Sequence, residues 1–398
     1  MKNKLLLILL LIPFYVSALT YPKLDSKNVE IYDLSDNKVL YEIDSKSQVS
    51  IASLTKIATT ITAIENIDDL DKKVTITQTI LNTVSNEASV AGLKAGDVVT
   101  YRDLLYASMV PSGADATNAL AILTSGSINN FVIKMNDLVK RIGLTNTHFV
   151  NVTGLDTPNH YSTVDEVRIL LTYALKNELF KDIYTTKEYT LSNGLKVKST
   201  LYLYTKGTKL DISPIIGSKT GHTKKAGYAL SSLSDINGHN MIIVTLKATQ
   251  KGIYYNNIVD NLNLIEFLKN NYQDELLVKK DQVIKTIPVN LSKIDRYEIK
   301  ANKDIKKFLP SDYDKNKLRI EYNGLEELSF ISKKDEKIGT INYYFEDELI
   351  GNEDVILNTV IKISIIKVLI HYWYVVLIMI IVVIIIILLL LSKKKKKA

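Results

Sequence analysis

The sequence predicts an α+β fold for most of the chain, because β-strand patterns lie on both sides of a helical middle. Residues 29–43 read as two strands around the turn Ser35-Asp36-Asn37-Lys38, and Asn237-Gly238 marks a second hairpin between two apolar strands. Apolar residues at helical spacing predict helices at 53–66, 101–109, 115–123, 163–179 and 257–269. A mixed α/β arrangement is the alternative that this order of elements leaves open.

Residues 1–18 have the features of a secretory signal peptide. Two lysines near the start precede the apolar run Leu5–Leu11, and small residues at 16–18 offer a cleavage site. An uncleaved anchor is the alternative, but the apolar run is short for a helix that spans a membrane. We therefore predict that the body of the chain is exported.

Residues 20–272 are predicted to form the first and larger domain. Its earliest helix begins near Ser53, and Ile57, Ile61 and Ile64 follow at spacings of four and three, which places them on one face. The strands around the Asn-Gly turn return late in this region, so the strand segments flank the helices in sequence.

A second, smaller domain is predicted at 276–355. The segments there are short, rich in β-forming residues and separated by polar turns; they cover 282–289, 296–299, 318–322 and 337–345. This region has no cluster of His, Asp or Glu with the spacing of metal ligands. We therefore predict a small all-β domain that acts as a spacer or an interaction module.

The C-terminal end predicts a membrane anchor. Residues 372–391 carry no charge and are long enough to cross a bilayer, with aromatic residues at one end. The tail 392–398 contains five lysines and is predicted to be cytoplasmic, which puts the body outside the membrane of a single-pass protein. The preceding segment, 356–371, is either a linker after the last strand or an amphipathic segment on the outer membrane surface.

Composition excludes several classes of protein. The chain has 398 residues and no cysteine, which excludes disulfides, thiolate zinc sites, iron–sulfur clusters and a cysteine nucleophile. The net charge of +7 arises from seven lysines in the two termini, and the remaining basic residues equal the 43 acidic residues. The body is therefore formally neutral, and we predict no nucleic-acid partner.

Two short motifs in the helical part contain serines with catalytic potential. In Ser53-Leu54-Thr55-Lys56, the serine and the lysine are three residues apart, so on a helix the amine reaches the hydroxyl. A lysine with a lowered pKa can remove the proton of such a serine and make it a nucleophile. Ser112-Gly113-Ala114 lies in a turn before a helix. Alone, each motif is better explained by a plain helix N-cap or turn.

The third motif, Lys219-Thr220-Gly221-His222-Thr223, precedes the late hairpin. A strand with this pattern offers a cation and hydroxyl groups to an anionic ligand, and the glycine permits close approach of a substrate backbone. An edge strand with a surface lysine is the alternative. The order S-x-x-K, S-x-x, K-T-G is much more specific than any single motif, and it is typical of penicillin-binding proteins and class A β-lactamases.

The chain resembles the low-molecular-mass penicillin-binding proteins of the serine-type D-alanyl-D-alanine carboxypeptidase family. The resemblance covers roughly residues 28–270 and includes NVTGLDTPNHYSTVDEV and GSKTGHTKKAGYAL. It implies a β-lactamase/transpeptidase-like domain with an antiparallel sheet and a helical cluster, followed by a β-rich domain and a membrane anchor. It also implies a peptidoglycan stem peptide as substrate, β-lactam antibiotics as covalent inhibitors, and catalysis without a cofactor or metal.

The resemblance assigns a role to each motif residue. Ser53 would attack the carbonyl between two D-alanines, Lys56 would accept its proton, and Ser112 would relay a proton to the leaving amine. Lys219 would supply positive charge, and Thr220, with Thr223, would bind the terminal carboxylate. Backbone N–H groups of Ser53 and His222 would form the oxyanion hole beside Gly221. The five histidines include no H-x-x-x-H pair, which argues against a zinc peptidase.

One residue departs from the family pattern. The family usually has Asn at the third position of the second motif, where this chain has Ala114. Ala114 therefore keeps open the alternative of a catalytically weak, membrane-anchored protein that binds penicillin or muropeptides. The shared motifs leave a β-lactamase open as well. The absence of an E-x-x-L-N stretch between Ser112 and Lys219 argues against the β-lactamase.

Overall fold

The computed structural model describes the backbone of residues 19–395 and the side chains as far as residue 390. The predicted signal peptide at 1–18 and the last three residues of the lysine tail lie outside the described residues. The described chain divides into two compact units, residues 19–272 and residues 273–395.

The first unit contains both helices and strands. Its strands are β1 (Asn28–Asp33), β2 (Lys38–Ile43), β3 (Lys73–Thr75), β4 (Val98–Thr100), β5 (Glu188–Thr190), β6 (Lys196–Lys198), β7 (Ile215–Thr223), β8 (Gly227–Ile236), β9 (His239–Ala248), β10 (Gln250–Lys251) and β11 (Tyr254–Tyr255). Its helices are α1 (Thr55–Ile64), α2 (Gln78–Leu81), α3 (Tyr101–Met109), α4 (Ala114–Ser125), α5 (Ile128–Arg141), α6 (Val164–Ala174), α7 (Glu178–Thr185), α8 (Thr200–Thr205) and α9 (Asn256–Asn271).

A five-stranded antiparallel sheet organises this unit. The strand order is β2-β1-β9-β8-β7, so the two ends of the unit's sequence meet where β1 pairs with β9. The strand β7 forms one edge, and its outer side has no strand partner among the described residues. The early and late hairpins and the α+β class predicted from the sequence are confirmed.

Helices cover the sheet and form the main core. Buried residues of α1, α3, α5 and α6 pack in one cluster with the strand residues Ala229, Leu233 and Val244. Several helices begin at side-chain caps, as at Thr100, where the hydroxyl accepts a hydrogen bond from the N–H of Asp103 in a capping box. The periodic apolar residues identified in the sequence therefore point into this core.

Two helices differ from the prediction. The region 53–66 begins with a 3₁₀ turn, Ala52–Leu54, and becomes α-helical only at Thr55. The single helix predicted at 163–179 is two helices, because α6 ends at Ala174 and Asn177 caps a new one. The side chain of Asn177 accepts a hydrogen bond from the N–H of Phe180, which starts α7 in a new direction.

The second unit is β-rich. Its strands are β12 (Tyr272–Val278), β13 (Val283–Asn290), β14 (Arg296–Lys300), β15 (Ile305–Pro310), β16 (Leu318–Gly324), β17 (Leu328–Ser329), β18 (Lys337–Phe345) and β19 (Glu348–Ile356). They pair in small sheets around a separate core that includes Ile299 and Ile341. Two helices follow, α10 (Ile365–His371) and α11 (Trp373–Lys395).

The segment 356–371 is divided between the β-rich core and a helix. Leu357 and Ile361 are buried in the core of the second unit, and Ile363 forms a bridge with Ser292. The short helix α10 occupies the end of the segment, Ile365–His371. The apolar helix α11 contains an 18-residue stretch, Trp373–Leu390, that is long and apolar enough to cross a membrane, and none of it is buried.

Candidate active site

Ser53 lies in the middle of the 3₁₀ turn that leads directly into α1. Ala52, one residue earlier, has a φ of 47°, which is uncommon for a residue with a side chain. Lys56 lies in the first turn of α1, and its Nζ is 3.1 Å from the Oγ of Ser53. The local geometry therefore brings the serine and the lysine of the first motif into hydrogen-bond contact.

Lys56 is suited to act as a base. Its side chain is 2% exposed. Burial lowers the pKa of the amine to about 7, although the nearby carboxylate of Asp115 raises it. At neutral pH a large fraction of such amines is unprotonated, and an unprotonated amine can accept the proton of the Ser53 hydroxyl.

A backbone carbonyl completes the environment of Lys56. The Nζ also donates a hydrogen bond to the carbonyl of Thr153, at 3.0 Å. The Asn151 side chain holds this turn by accepting hydrogen bonds from the N–H groups of Thr153 and Gly154. Gly154 has a φ of +87°, and a Cβ there would lie 1.9 Å from the carbonyl oxygen of Ala52. The turn therefore packs directly against the backbone that carries Ser53.

Ser112 lies in the turn between α3 and α4. It has a φ of 64°. Its hydroxyl is buried and has no hydrogen-bond partner among the described residues of the chain. Gly113 permits the turn, because a Cβ there would lie 2.6 Å from the carbonyl oxygen of Ala107. A left-handed residue with an unsatisfied buried hydroxyl costs stability, and both features are concentrated at functional sites in proteins.

The residues after Ser112 anchor the wall of the site. The carboxylate of Asp115 accepts hydrogen bonds from the N–H groups of Ala91, Gly92 and Leu93. Ala114 is buried, and its N–H donates to the carbonyl of Ser89 at 2.7 Å. Asp115 therefore holds the loop beside α4 and adds negative charge near Lys56.

Lys219 is the second buried lysine of the site. It is 1% exposed, and its Nζ donates a hydrogen bond to the carbonyl of Thr220 at 2.8 Å. Burial, with a smaller contribution from the charge of Lys56, holds the pKa of Lys219 well below its usual value. The two lysines are therefore close enough to affect each other, although residues 56 and 219 are 163 positions apart in the sequence.

Gly221 brings β7 against the serine. A Cβ at Gly221 would lie 3.0 Å from the backbone nitrogen of Ser53 and 3.1 Å from the Cβ of Ala52. The sequence interpretation expected glycine here to admit a substrate backbone. The contacts give a further reason for glycine here, because a Cβ would also crowd the 3₁₀ turn of the protein itself, and the approach of a substrate backbone stays a prediction.

Three residues of β7, Thr220, His222 and Thr223, differ in their surroundings. Thr220 is buried, and its Oγ1 is 2.5 Å from the Oγ1 of Thr200. His222 is exposed, and its ring stacks on Tyr228 with the centroids 4.1 Å apart. Thr223 donates a hydrogen bond from its hydroxyl to the Asp156 carboxylate at 2.8 Å. The Thr223 hydroxyl is therefore already engaged by a carboxylate of the protein.

Several residues of the site had no assigned role in the sequence interpretation. The Thr153 carbonyl and Asp115 contact or influence Lys56, and Asp156 joins Ser50, Thr223 and the N–H of Lys225. The signal for two of them was present, because Thr153 and Asp156 lie in the NVTGLDTPNHYST stretch. The resemblance to the family assigned no role to any residue of that stretch.

His160 contacts the first motif through the side chain of Thr55. The N–H of Val150 donates to its Nδ1 at 3.1 Å, so Nε2 carries the proton and donates to the Thr55 hydroxyl at 2.9 Å. Burial lowers the pKa of His160 to about 4, which keeps the ring neutral. His160 thus orients the residue beside Lys56 and is not itself placed to reach Ser53.

One group of side chains among the described residues could share a cation. The ligand atoms of Asp33, Asp36 and His239 lie within 4.8 Å of one another. Asp33 ends β1, Asp36 lies in the turn that follows, and His239 begins β9; none of them is hydrogen-bonded to Ser53 or Lys56. The groups around Ser53 are hydroxyl, amine and backbone groups, a set suited to acyl transfer through a serine.

Comparison with known proteins agrees with this geometry. The sequence profile of the D-alanyl-D-alanine carboxypeptidases, peptidase family S11, matches residues 16–250. The chain belongs to this family. The profile of the C-terminal domain of penicillin-binding protein 5 matches residues 272–362. The family predicted from the motifs is therefore confirmed, and the chain is a serine-type carboxypeptidase by family.

Individual relatives extend over most of the chain. D-alanyl-D-alanine carboxypeptidase DacF of Bacillus subtilis is 26% identical over 336 residues, 83% of this chain and 84% of the relative. DacA of Escherichia coli K12 is 27% identical over 375 residues, 88% of this chain and 89% of the relative. The D-alanyl-D-alanine carboxypeptidase of Streptomyces sp. strain K15 is 34% identical over 246 residues, 58% of this chain and 84% of the relative.

Solved structures show the same fold. The Streptomyces K15 DD-transpeptidase superposes with a TM-score of 0.56 at 30% identity, covering 62% of this chain and 98% of that one. Penicillin-binding protein 5 of Haemophilus influenzae superposes with a TM-score of 0.62 at 24% identity, covering 86% of this chain and 99% of that one. The similarity to the Haemophilus influenzae protein concerns the fold alone, and the aligned part of this chain includes residues of both units.

Proposed function

We propose that the chain removes the terminal D-alanine from peptidoglycan stem peptides through an acyl-enzyme on Ser53. The observation that carries this proposal is the contact between Ser53 Oγ and the buried amine of Lys56, at 3.1 Å. A serine hydroxyl is a weak nucleophile, and an amine with a pKa near 7 is a base of suitable strength at physiological pH.

In the acylation step, Lys56 takes the proton of Ser53 as the oxygen attacks the carbonyl carbon between the two D-alanines. The C–N bond then breaks, and the leaving nitrogen receives a proton. The buried, unpartnered hydroxyl of Ser112 is suited to pass that proton, because it can donate one hydrogen and accept another. In turn, Ser112 recovers a proton from Lys56, which returns to its unprotonated state.

Backbone N–H groups supply the oxyanion hole. The contact between Gly221 and the nitrogen of Ser53 supports this assignment, because it holds the N–H of Ser53 beside the strand that continues to His222. Two N–H groups in a fixed position stabilise the negative charge of the tetrahedral intermediate without reorganisation. His222 therefore acts through its backbone, while its exposed ring is available to the substrate.

The carboxylate of the substrate lies at Thr220, with Lys219 as the nearby source of positive charge. The assignment of Thr223 to the same carboxylate is weaker, because its hydroxyl donates to Asp156. We therefore propose Thr220 as the hydroxyl that binds the substrate carboxylate, and Thr223 as the residue that connects β7 to the loop at 151–160.

Water completes the reaction with peptides but reacts slowly with a β-lactam adduct. The three glutamates between Ser112 and Lys219 all have other surroundings than Ser53. Glu166 accepts hydrogen bonds from the N–H groups of Thr145 and Asn146. Glu178 is exposed in the first turn of α7, and Glu188 pairs with Lys198. No glutamate of this stretch is thus a dedicated base beside Ser53. β-Lactams should therefore act as covalent inhibitors, and the β-lactamase reading is disfavoured.

The departure at Ala114 does not leave Lys56 without support. The Thr153 carbonyl accepts a hydrogen bond from its amine, so a side-chain amide at position 114 is not needed to hold it. This contact favours the enzyme over the catalytically weak binder. Because one relative is called both a carboxypeptidase and a DD-transpeptidase, transfer of the acyl group to an amine is the second candidate reaction.

We further propose that the protein acts on the outer face of the cytoplasmic membrane. The apolar helix α11 supports a single C-terminal anchor, and the lysines that follow it favour a cytoplasmic C-terminus. The body would then face the peptidoglycan, which is where its substrate is found.

The test is D-alanine release from diacetyl-Lys-D-Ala-D-Ala by the full-length protein in detergent. Ser53→Ala should lower the rate by roughly a thousandfold or more, because the nucleophile is lost. Ser213→Ala, which changes an exposed serine of the same unit, should leave the rate unchanged. Absence of D-alanine release by the unmodified protein would contradict the proposed reaction. Release that requires an added amine acceptor would identify a transpeptidase.

A further inference from the structure

The proposed reaction fixes the direction in which the substrate lies along β7. The terminal carboxylate is assigned to Thr220, and the scissile carbonyl lies one residue further along, where Gly221 packs against the nitrogen of Ser53. The rest of the stem peptide therefore extends from Gly221 toward Thr223, where β7 ends. The outer side of β7 has no strand partner among the described residues, so an extended peptide can run along this edge.

Two consecutive lysines follow at the end of this path. Lys224 and Lys225 lie in the turn between β7 and β8, and both are exposed. Neither has an ion-pair partner among the residues that the structure describes. Lys247 lies beside the same turn, because its N–H donates to the carbonyl of Ala226 at 3.2 Å. The turn therefore carries positive charge where the N-terminal part of a stem peptide arrives.

Hydrogen bonds hold the backbone of this turn in place. The carboxylate of Asp156 accepts one from the N–H of Lys225, at 3.1 Å, and one from the hydroxyl of Thr223, at 2.8 Å. The N–H of Ala226 donates to the same hydroxyl oxygen at 3.1 Å. Gly227 ends the turn with a φ of 63°, a conformation that glycine adopts without strain. The two lysine side chains therefore extend from a defined backbone into solvent.

The carboxylate that contacts this turn does not cancel the charge of its lysines. Asp156 accepts hydrogen bonds from the Ser50 hydroxyl, the Thr223 hydroxyl and the N–H of Lys225. Burial acts to raise the pKa of Asp156, but these hydrogen bonds and the charge of Lys225 outweigh it, so the pKa is lowered and the group stays ionised. One acid against three lysines leaves the turn with a net positive charge.

The stem peptide supplies an anion at a matching distance. Its second residue is a glutamate that is linked through its side chain, which leaves the α-carboxylate free unless it is amidated. This residue lies two positions before the D-alanine whose carbonyl is attacked, about 7–10 Å away in an extended peptide that advances 3.3 Å per residue. Lys224 is three positions beyond Gly221, about 10 Å along the strand. The free carboxylate therefore comes within reach of the two lysine side chains.

We propose that Lys224 and Lys225 bind the free α-carboxylate of this glutamyl residue and make the enzyme prefer acidic stem peptides over amidated ones. The inference rests on the proposed carboxypeptidase function and adds a specificity for the part of the substrate remote from the scissile bond. Exposed ion pairs are individually weak, so two of them should give a preference of about fivefold. Salt screens exposed charges, so added salt should reduce the preference.

The test compares two pentapeptides, Ala-γ-D-Glu-Lys-D-Ala-D-Ala with an acetylated lysine and the same peptide with D-isoglutamine in place of the glutamate. The full-length protein in detergent should release D-alanine from the acid with a kcat/KM about fivefold higher, mainly through KM, and the difference should shrink at high salt. Lys224→Ser combined with Lys225→Ser should abolish the difference. Lys224→Arg combined with Lys225→Arg, which keeps both charges, should retain it.

A matched control separates a local contact from a change in net charge. Lys72→Ser combined with Lys73→Ser removes two other adjacent, exposed lysines of the first unit and should leave the preference intact. A structural effect of the turn would lower the rates of both pentapeptides by the same factor. That outcome, or equal rates for the two peptides with the unmodified protein, or a preference that survives the double serine replacement at 224 and 225, overturns the proposal.

Failure of the proposed function is seen separately, as a lack of D-alanine release from diacetyl-Lys-D-Ala-D-Ala, which has no glutamyl residue. In that case the Kd values of the two pentapeptides are compared by isothermal titration calorimetry, which needs no turnover. Tighter binding of the acid that is lost in the double serine variant supports the inference. Equal Kd values for the acid and the amide overturn it.

Discussion

Replacing Lys56 with methionine should abolish acylation and at the same time stabilise the folded protein. The pKa of the amine falls from 10.5 to about 7, which corresponds to roughly 5 kcal/mol of unfavourable free energy when the protonated form is buried. Loss of the hydrogen bonds to Ser53 and the Thr153 carbonyl would offset about 1–3 kcal/mol of the relief. We therefore expect Lys56→Met to raise the free energy of unfolding at pH 7 by about 2 kcal/mol.

The pH dependence of this gain has a defined sign. Above pH 10.5 the amine is unprotonated in both states, so the variant and the unmodified protein differ little in this respect. As the pH falls from 10.5 to about 7, the unfolded lysine binds a proton that the folded one does not, and the advantage of Lys56→Met grows. Below pH 7 both states are protonated and the advantage is constant. The lowered pKa of Lys219 changes the free energy of unfolding with pH in the same direction, but Lys219 is present in both the variant and the unmodified protein.

The assay is urea-induced unfolding of the full-length protein in detergent, followed by circular dichroism at pH 7, 8 and 9, with penicillin acylation measured in parallel. Lys181→Met is the control, because Lys181 is exposed on α7 and its replacement relieves no burial. A Lys56→Met protein that is no more stable than the unmodified one at pH 7 would refute the reasoning. So would an advantage that fails to shrink as the pH rises.

Three other predictions address the serine turn, the packing behind the nucleophile and the anchor. Ser112→Ala should slow acylation by penicillin roughly a hundredfold or more with little change in melting temperature, since its hydroxyl has no protein partner to lose; a large drop in melting temperature with normal acylation would show a structural role instead. Gly154→Ala should destabilise the protein by more than about 3 kcal/mol, because its Cβ would collide with the carbonyl of Ala52, and an unchanged melting temperature would contradict this packing. Removal of the chain from Trp373 onward should release the protein from membranes after a high-salt wash, and retention in the pellet would reveal a second membrane-binding surface.

The sequence predicted the parts of the site that depend on short-range spacing. Ser53 and Lys56 are three residues apart, so one turn of helix is enough to bring them together. The turn at Asn237-Gly238 likewise follows from the conformations that these two residues favour. The order of the three motifs was sufficient to predict the family.

Contacts between distant segments could not be predicted in the same way. The carbonyl of Thr153 carries no mark in the sequence, because every residue has a carbonyl and only the folded chain places this one at Lys56. The hydrogen bond between the Thr200 and Thr220 hydroxyls depends on α8 lying beside β7, which no local pattern determines. The left-handed backbone of Ser112 is likewise imposed by its surroundings, since serine does not favour it.

Other features stay predictions. The signal peptide lies outside the described residues, and the orientation of the chain in the membrane rests on the lysines after the apolar helix. The domain limits predicted at 20–272 and 276–355 are also kept as predictions. The buried residues Leu357 and Ile361 indicate that a stable β-rich domain includes residues beyond 355.

The most direct test of the central claim is mass spectrometry of the full-length protein after incubation with benzylpenicillin. We predict one persistent covalent adduct on the peptide that contains Ser53, absent from Ser53→Ala, and catalytic D-alanine release by the same preparation from diacetyl-Lys-D-Ala-D-Ala. An adduct on another residue, or none, would contradict the assignment of Ser53 as the nucleophile. Rapid turnover of penicillin would contradict the absence of a dedicated deacylating base and identify a β-lactamase.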